Sequence, residues 1–200
     1  MLVESTRKFD SIQEDFLTQW LLVNYFVPNY KEINIWEDKG MQVKGVDVTL
    51  DGMLVDIKGM TSKRYLNNPA DTYSLELSFL NREGDKRYGW FVSDDMITTH
   101  YLFVWINKCE HQDGLIRSIE EVEVMLVDKA KLQKYVIGNN KEAIMKQGDR
   151  LRNLGIRSTY LNNGLKMVCS NQLAEIPVNV IVPKDTLAMY AIAHKVIKAE

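Results

Sequence analysis

The chain has 200 residues, 46% hydrophobic and 26% charged, the balance of an ordinary globular protein with enough length for a substantial core. Its net charge is −2, so bulk charge does not recruit nucleic acid, although a local basic patch stays compatible with it. No apolar run reaches the roughly 18 residues of a membrane span, and two cysteines without a Cys-x-x-Cys pair argue against a zinc site.

The N-terminus, Met1 to Lys8, lacks the form of a signal peptide, and a reduced cytoplasmic chain is expected. The first element is an amphipathic helix over residues 10–26. Phe9, Ile12, Phe16, Trp20 and Val23 recur at helical spacing, and Leu17 and Leu21 widen the stripe. Ser11 and Glu14 fit a capping box, and Pro28 follows the helix end. Glu14 falls at the edge of the stripe and Gln13 nearer its centre, so either polar group can reach a site flanking the core. Residues 32–36 read as a short strand and 37–40 as a turn.

Residues 43–59 are the centre of the chain's chemistry. Two alternating apolar runs flank Asp51-Gly52, the dipeptide of a two-residue type I′ hairpin. With 51 and 52 as the loop, 50 pairs with 53, 49 with 54, 48 with 55, and Asp47 lies opposite Asp56. Strand alternation then puts Val46, Val48, Leu50, Met53, Val55 and Ile57 on one face, and Asp47, Thr49, Leu54, Asp56 and Lys58 on the other. Two opposed carboxylates about 4 Å apart repel by roughly 4 kcal/mol at an effective dielectric near 20. A hard divalent cation such as Mg²⁺ is the simplest reason to keep them. The alternative is an edge hairpin whose charges are merely solvated.

Beyond the hairpin, residues 61–65 form a basic exit loop and 67–69 a turn. Residues 73–80 alternate as a strand, with Glu76 on its polar face, able to approach the hairpin if the two pair. Asn81 to Arg87 reads as a charged loop and Trp90 to Val92 as a short strand. The run 101–106 reads as a strand covered on both faces. His100 sits at its mouth, and Lys108 to Arg117 reads as a polar loop. A strand over 121–127 leads to Asp128, a cap for a helix from Lys129. The span 129–157 is the most basic of the chain, either a phosphate-backbone footprint or a solvated helical face. Late strands at 165–168 and 178–182 precede a final apolar helix, Leu187 to Ile197, capped by Asp185. One domain over 1–200, elaborated from about residue 129, is the economical organisation. No Gly-rich phosphate loop, Gly-x-Ser-x-Gly or histidine cluster competes with the hairpin.

Asp47 followed by Asp56-Ile57-Lys58 resembles the D…(D/E)-x-K signature of the PD-(D/E)XK nuclease superfamily, which includes restriction endonucleases and Holliday-junction resolvases. The proline that often precedes the first acid is replaced by Val46. The resemblance implies an α/β (α+β) fold with a restriction-endonuclease-like mixed central sheet flanked by helices. It also implies a Mg²⁺-dependent deoxyribonuclease, with Mn²⁺ as a substitute. Asp47, Asp56 and the Ile57 carbonyl would hold the metal, Lys58 would position water or phosphate, and Glu14 or Glu76 would add an acid. Nucleic acid, DNA favoured, is the implied partner. No membrane is, and homodimer formation stays open. The rival is a catalytically inactive nuclease-fold module that binds nucleic acid or a protein.

Overall fold

The computed structural model describes residues 2–199, with side chains from Ser11 onward; Phe9 of the expected stripe therefore lies outside the described side chains. Helix α1 (Leu2–Leu21) runs through a wider turn at Leu22–Phe26 into the three-residue α2 (Val27–Asn29). Strand β1 (Ile33–Ile35), helix α3 (Lys39–Val43) and strands β2 (Val48–Leu50) and β3 (Met53–Gly59) follow. Next come β4 (Thr72–Leu80), β5 (Lys86–Tyr88) and the long strands β6 (His100–Gln112) and β7 (Leu115–Asp128). Helices α4 (Lys129–Ile137) and α5 (Lys141–Asn153) precede β8 (Ser158–Tyr160), β9 (Lys166–Cys169) and β10 (Val178–Pro183). Helix α6 (Lys184–Ala188) and strand β11 (Ala191–Lys198) end the chain. The fold is α+β, with one mixed and one antiparallel sheet and helices beside them. No helix among the described residues is long and apolar enough to cross a membrane.

The elements fall into two compact units. The first takes the chain up to Ala70, Ile97–Asp128 and the segment from Ala191. Its six-stranded sheet has the order β1-β2-β3-β6-β7-β11. All neighbours are antiparallel except β3 and β6, which run parallel from Val55↔His100 to Gly59↔Val104. A parallel pair needs a long crossover, and here the chain between β3 and β6 leaves to build part of the second unit. Tyr101 to Ile106 on β6 are all fully buried, as expected of a central strand.

Helix α1 lays a narrower stripe on this sheet than the sequence suggests. Gln13, Leu17, Leu21 and Tyr25, four residues apart, are buried, whereas Ile12 is 47% and Val23 68% exposed. The i,i+4 row sets the contact, and the wider turn at 22–26 keeps Tyr25 and Phe26 inward. The capping box is overturned: the helix starts at Leu2, so Ser11 and Glu14 lie within it. Leu17 meets β3 where Gly59 leaves no side chain; a Cβ there would stand 2.4 Å from Leu17 Cδ2.

Three more expectations change. The loop over Lys108 to Arg117 is a continuation of β6 and β7 into a two-residue turn, Asp113-Gly114, with φ of 51° and 88°. It repeats the Asp-Gly turn chemistry of the first hairpin. The final helix is mostly strand. Helix α6 stops at Ala188, Asp185 lies in its first turn rather than at its cap, and β11 pairs with β7 along Glu121–Val127. The free edge of β7 offers ladder partners that a short, isolated helix could not match. Trp90 to Val92 form turns, not a strand.

The second unit holds Asp71–Met96 and Lys129–Tyr190. Its five strands, in the order β5-β4-β10-β9-β8, are all antiparallel, with α5 packed against β4 and β9. Part of the basic span serves this unit internally. The Lys129 ammonium donates to the Met96 carbonyl at 2.7 Å, Lys141 pairs with Asp94 at 2.9 Å, and Arg152 bonds Asp149 and Ser78. Lys134, Lys146, Arg150 and Arg157 remain exposed.

Gln13 clasps the tip of the β6–β7 hairpin. Its Nε2 donates to the Gly114 carbonyl at 2.6 Å, and its Oε1 accepts from the Ile116 N–H at 3.0 Å, all in a buried setting. Substituting Gln13→Leu keeps the volume and orphans both backbone groups. A loss of about 2–4 kcal/mol is expected in urea denaturation. A loss under about 0.5 kcal/mol would show that water or another group takes over.

Candidate active site

The β2–β3 hairpin closes as the sequence demands. Asp51 and Gly52 carry φ of 45° and 85°, and the register is Leu50↔Met53, Thr49↔Leu54, Val48↔Val55. The apolar face is buried: Val46, Val48, Leu50 and Val55 are fully enclosed, and Met53 and Ile57 pack against the core.

The polar face departs from a plain ladder at its working end. Asp47 donates its N–H to the Val55 carbonyl at 3.0 Å, already the level of Val48's partner, so the regular pairing ends at Val48. The Asp47 carboxylate Oδ2 then accepts the Ile57 N–H at 2.7 Å. A side-chain oxygen thus stands where a ladder would offer a carbonyl, and this bond fixes the carboxylate's orientation.

Asp56 is only 4% exposed. Its Oδ1 lies 2.8 Å from the Lys58 ammonium, two residues along the same strand face, and the Asp47 carboxyl is near enough to act on it. Burial pushes the Asp56 carboxyl up to about 7; Lys58 pulls against this and the Asp47 charge adds to it.

Parallel pairing with β6 supplies the neighbouring wall. Asp56 is level with Tyr101 and Lys58 with Phe103. Tyr101, Phe103 and Trp105 form a row with ring centroids 5.8 and 6.3 Å apart, all fully buried. Burial, and then the Asp56 charge, raise the Tyr101 phenol above its ordinary range. In the sequence, the apolar run 101–106 betrays a buried strand, but nothing there says that Tyr101 stands beside Asp56.

Of the residues singled out from the sequence, Asp47, Asp56, Ile57 and Lys58 come together. Glu14 is exposed on α1. Gln13 is committed to the β6–β7 turn. Glu76 lies on β4, level with Asn179 of β10, whereas the partners of β3 are β2 and β6. Glu76 thus does not pair beside Asp56. His100 opens β6 with its Nδ1 2.9 Å from the Thr99 hydroxyl, and His194 of β11 pairs with Glu123 of β7. Among the described residues no group of three or more His, Cys, Asp or Glu side chains gathers to hold a metal. The oxygens available to a cation are therefore two carboxylates and a backbone carbonyl, a hard-donor set that fits Mg²⁺ or Mn²⁺ completed by water and phosphate.

No family model matches the chain, and no curated protein matches it. Among solved structures, the tetrameric restriction endonuclease SfiI, crystallised bound to its cognate DNA, is similar at 14% identity with a TM-score of 0.32. The match covers 74% of this chain and 53% of that one, so the chain spans about half the length of that protein. A likeness this slight carries no argument; the functional reading rests on the hairpin.

The raised Asp56 pKa has a sign. Between about pH 4 and pH 7 the folded protein keeps a proton that the unfolded chain has released, so this group makes stability fall as pH rises through that window. The full shift corresponds to on the order of 4 kcal/mol. In urea denaturation across pH 4–8, Asp56→Asn should gain on the wild type as pH rises and level off above 7. A difference that stays flat with pH would mean that Asp56 is ionised throughout.

Proposed function

We propose that this chain is a Mg²⁺-dependent nuclease that hydrolyses phosphodiester bonds, with DNA as the favoured substrate. One observation carries the reading: the Asp47 and Asp56 carboxyl groups lie close enough to act on each other, Asp56 is buried, and the Lys58 ammonium stands 2.8 Å from it. Buried like charges destabilise a fold, and such an arrangement is what a divalent cation and a phosphate would complete.

Asp47, Asp56 and the Ile57 carbonyl would hold the cation, which when bound supplies Lewis acidity toward a phosphoryl oxygen and toward water. The Ile57 N–H holds the Asp47 carboxylate in place through its 2.7 Å bond. Asp56 must lose its proton to serve, so cation binding and activity rise with pH as that proton leaves. Lys58 then exchanges its Asp56 contact for the scissile phosphate or the attacking water, placing positive charge where negative charge develops. The enclosed Tyr101 and Phe103 form a dry wall that strengthens these interactions.

A second reading keeps one observation on its side: only two acids gather at the hairpin among the described residues. A catalytically inactive module that binds nucleic acid or a protein partner would need no third. Calorimetric titration with Mg²⁺ separates the two, since the module has no need to bind the cation at Asp47 and Asp56.

The decisive measurement is a cleavage screen over linear, circular, branched and single-stranded DNA and RNA with Mg²⁺ and Mn²⁺. Cutting is expected with the metal and not with chelator. Asp47→Ala, Asp56→Ala and Lys58→Ala should each lower it by on the order of 100-fold or more while circular dichroism stays native. A wild-type protein that cuts no substrate and binds no cation would end the nuclease reading.

A further inference from the structure

The second unit contains a cavity of about 340 Å³ with a chemistry of its own. It opens between the turn joining α4 to α5 and the turn joining β8 to β9. Tyr135, Ile144 and Leu161 line it on the apolar side, and Asn139, Asn162 and Gln147 line it too, the Gln147 Nε2 donating to the Tyr160 carbonyl at 3.3 Å. None of the residues that line it carries a formal charge.

The two turns are tied into one frame. Asn163 Nδ2 donates to the Tyr135 carbonyl at 2.9 Å, and its Oδ1 accepts the Leu165 N–H at 3.2 Å, which joins the β8–β9 turn to the end of α4. Asn140 accepts the Ala143 N–H at 3.0 Å and so fixes the start of α5. Gly138 and Gly164, at φ of 59° and 81°, shape the two turns. The Tyr135 ring is braced by Tyr190, with centroids 5.2 Å apart.

We infer that this cavity is a binding pocket for one unpaired nucleobase of a nucleic-acid strand. An uncharged lining gives a phosphate or carboxylate no charged partner. Carboxamides each present a donor and an acceptor side by side, the pattern that complements the edge of a heterocyclic base. Apolar walls and an aromatic ring suit the flat faces of that base. The volume lies at the small-molecule end of binding pockets, roughly 300–1,000 Å³, so it admits a base with its sugar and not a duplex. A base inside a duplex is stacked and paired, and must be single-stranded or turned out to enter. Lys134 and Lys146, next in the chain to Tyr135 and Gln147, are exposed.

This inference rests on the reading of the chain as acting on nucleic acid, but it is tested without cleavage. The probes are adenosine, guanosine, cytidine and thymidine, all uncharged, titrated into ¹⁵N-labelled full-length protein, with N-methylacetamide as the control ligand. The side-chain amide signals of Asn139, Asn162 and Gln147 should move with at least one nucleoside and not with the control. Ala143→Trp, which fills the cavity from the exposed start of α5, should abolish these shifts and weaken binding of a single-stranded oligonucleotide about tenfold at fixed salt. If that variant is unstable to urea, Asn162→Asp replaces it, removing a donor without changing shape. The pocket is refuted by nucleosides that shift nothing, by shifts equal to those of N-methylacetamide, or by variants that bind the oligonucleotide like wild type. Asp56→Asn should leave the nucleoside shifts intact. A wild type that never cuts DNA or RNA but shows those shifts overturns the nuclease and keeps the pocket. One that cuts without them does the reverse.

Discussion

The constraint on which the first unit turns is the removal of Asp56 from water beside a second acid. A carboxylate with 4% exposure must be neutralised, paired or bound to a cation. Lys58 supplies part of the compensation, and a retained proton supplies part of the rest near neutrality. Everything adjacent serves to hold this poised arrangement. The Asp51-Gly52 turn sets the strand register, the break in the ladder at Asp47 turns a carboxylate onto the Ile57 N–H, and β6 covers the flank. A hairpin whose charges were all solvated would not bury Asp56 in this way.

The same unit shows how buried polar groups are made tolerable elsewhere. Gln13 lies within the apolar stripe of α1, but both ends of its amide are matched by backbone of the β6–β7 turn. Asn67, though itself exposed, is matched in the same two-ended way, with its side chain bonded to both the N–H and the carbonyl of Cys109. These matched pairs join distant segments and hold the long β6–β7 hairpin in place. The Asp47–Asp56 pair differs in that two acids adjoin, one of them buried, with Lys58 beside them.

The places where sequence reasoning failed share a cause. Residues 191–198 have apolar residues compatible with either period, and their state depended on whether a sheet edge was available; β7 provides one. Asp113-Gly114 carried the same turn chemistry as Asp51-Gly52, but its flanking residues, Glu110 to Gln112 and Arg117, are polar and hid the hairpin. Ser11 and Glu14 fit a cap pattern that the longer α1 made irrelevant. In the basic span, Lys129 and Arg152 are enclosed by groups far away in the chain, information that charge counting does not contain.

By itself the sequence determined the hairpin: its turn residues, its register from Leu50↔Met53 to Val48↔Val55, its apolar face, and the gathering of Asp47, Asp56 and Lys58. These are local properties, set by backbone conformations open to Asp-Gly and by alternation along a strand. Tertiary structure alone decided that β3 lies parallel to β6, that Tyr101 closes on Asp56, that Asp56 is dry enough to hold a proton near pH 7, and that Glu76 belongs to another sheet. Each of these depends on segments more than 20 residues apart in the sequence. Burial and long-range pairing, rather than residue identity, set the dielectric and the neighbours that give a carboxylate its chemistry.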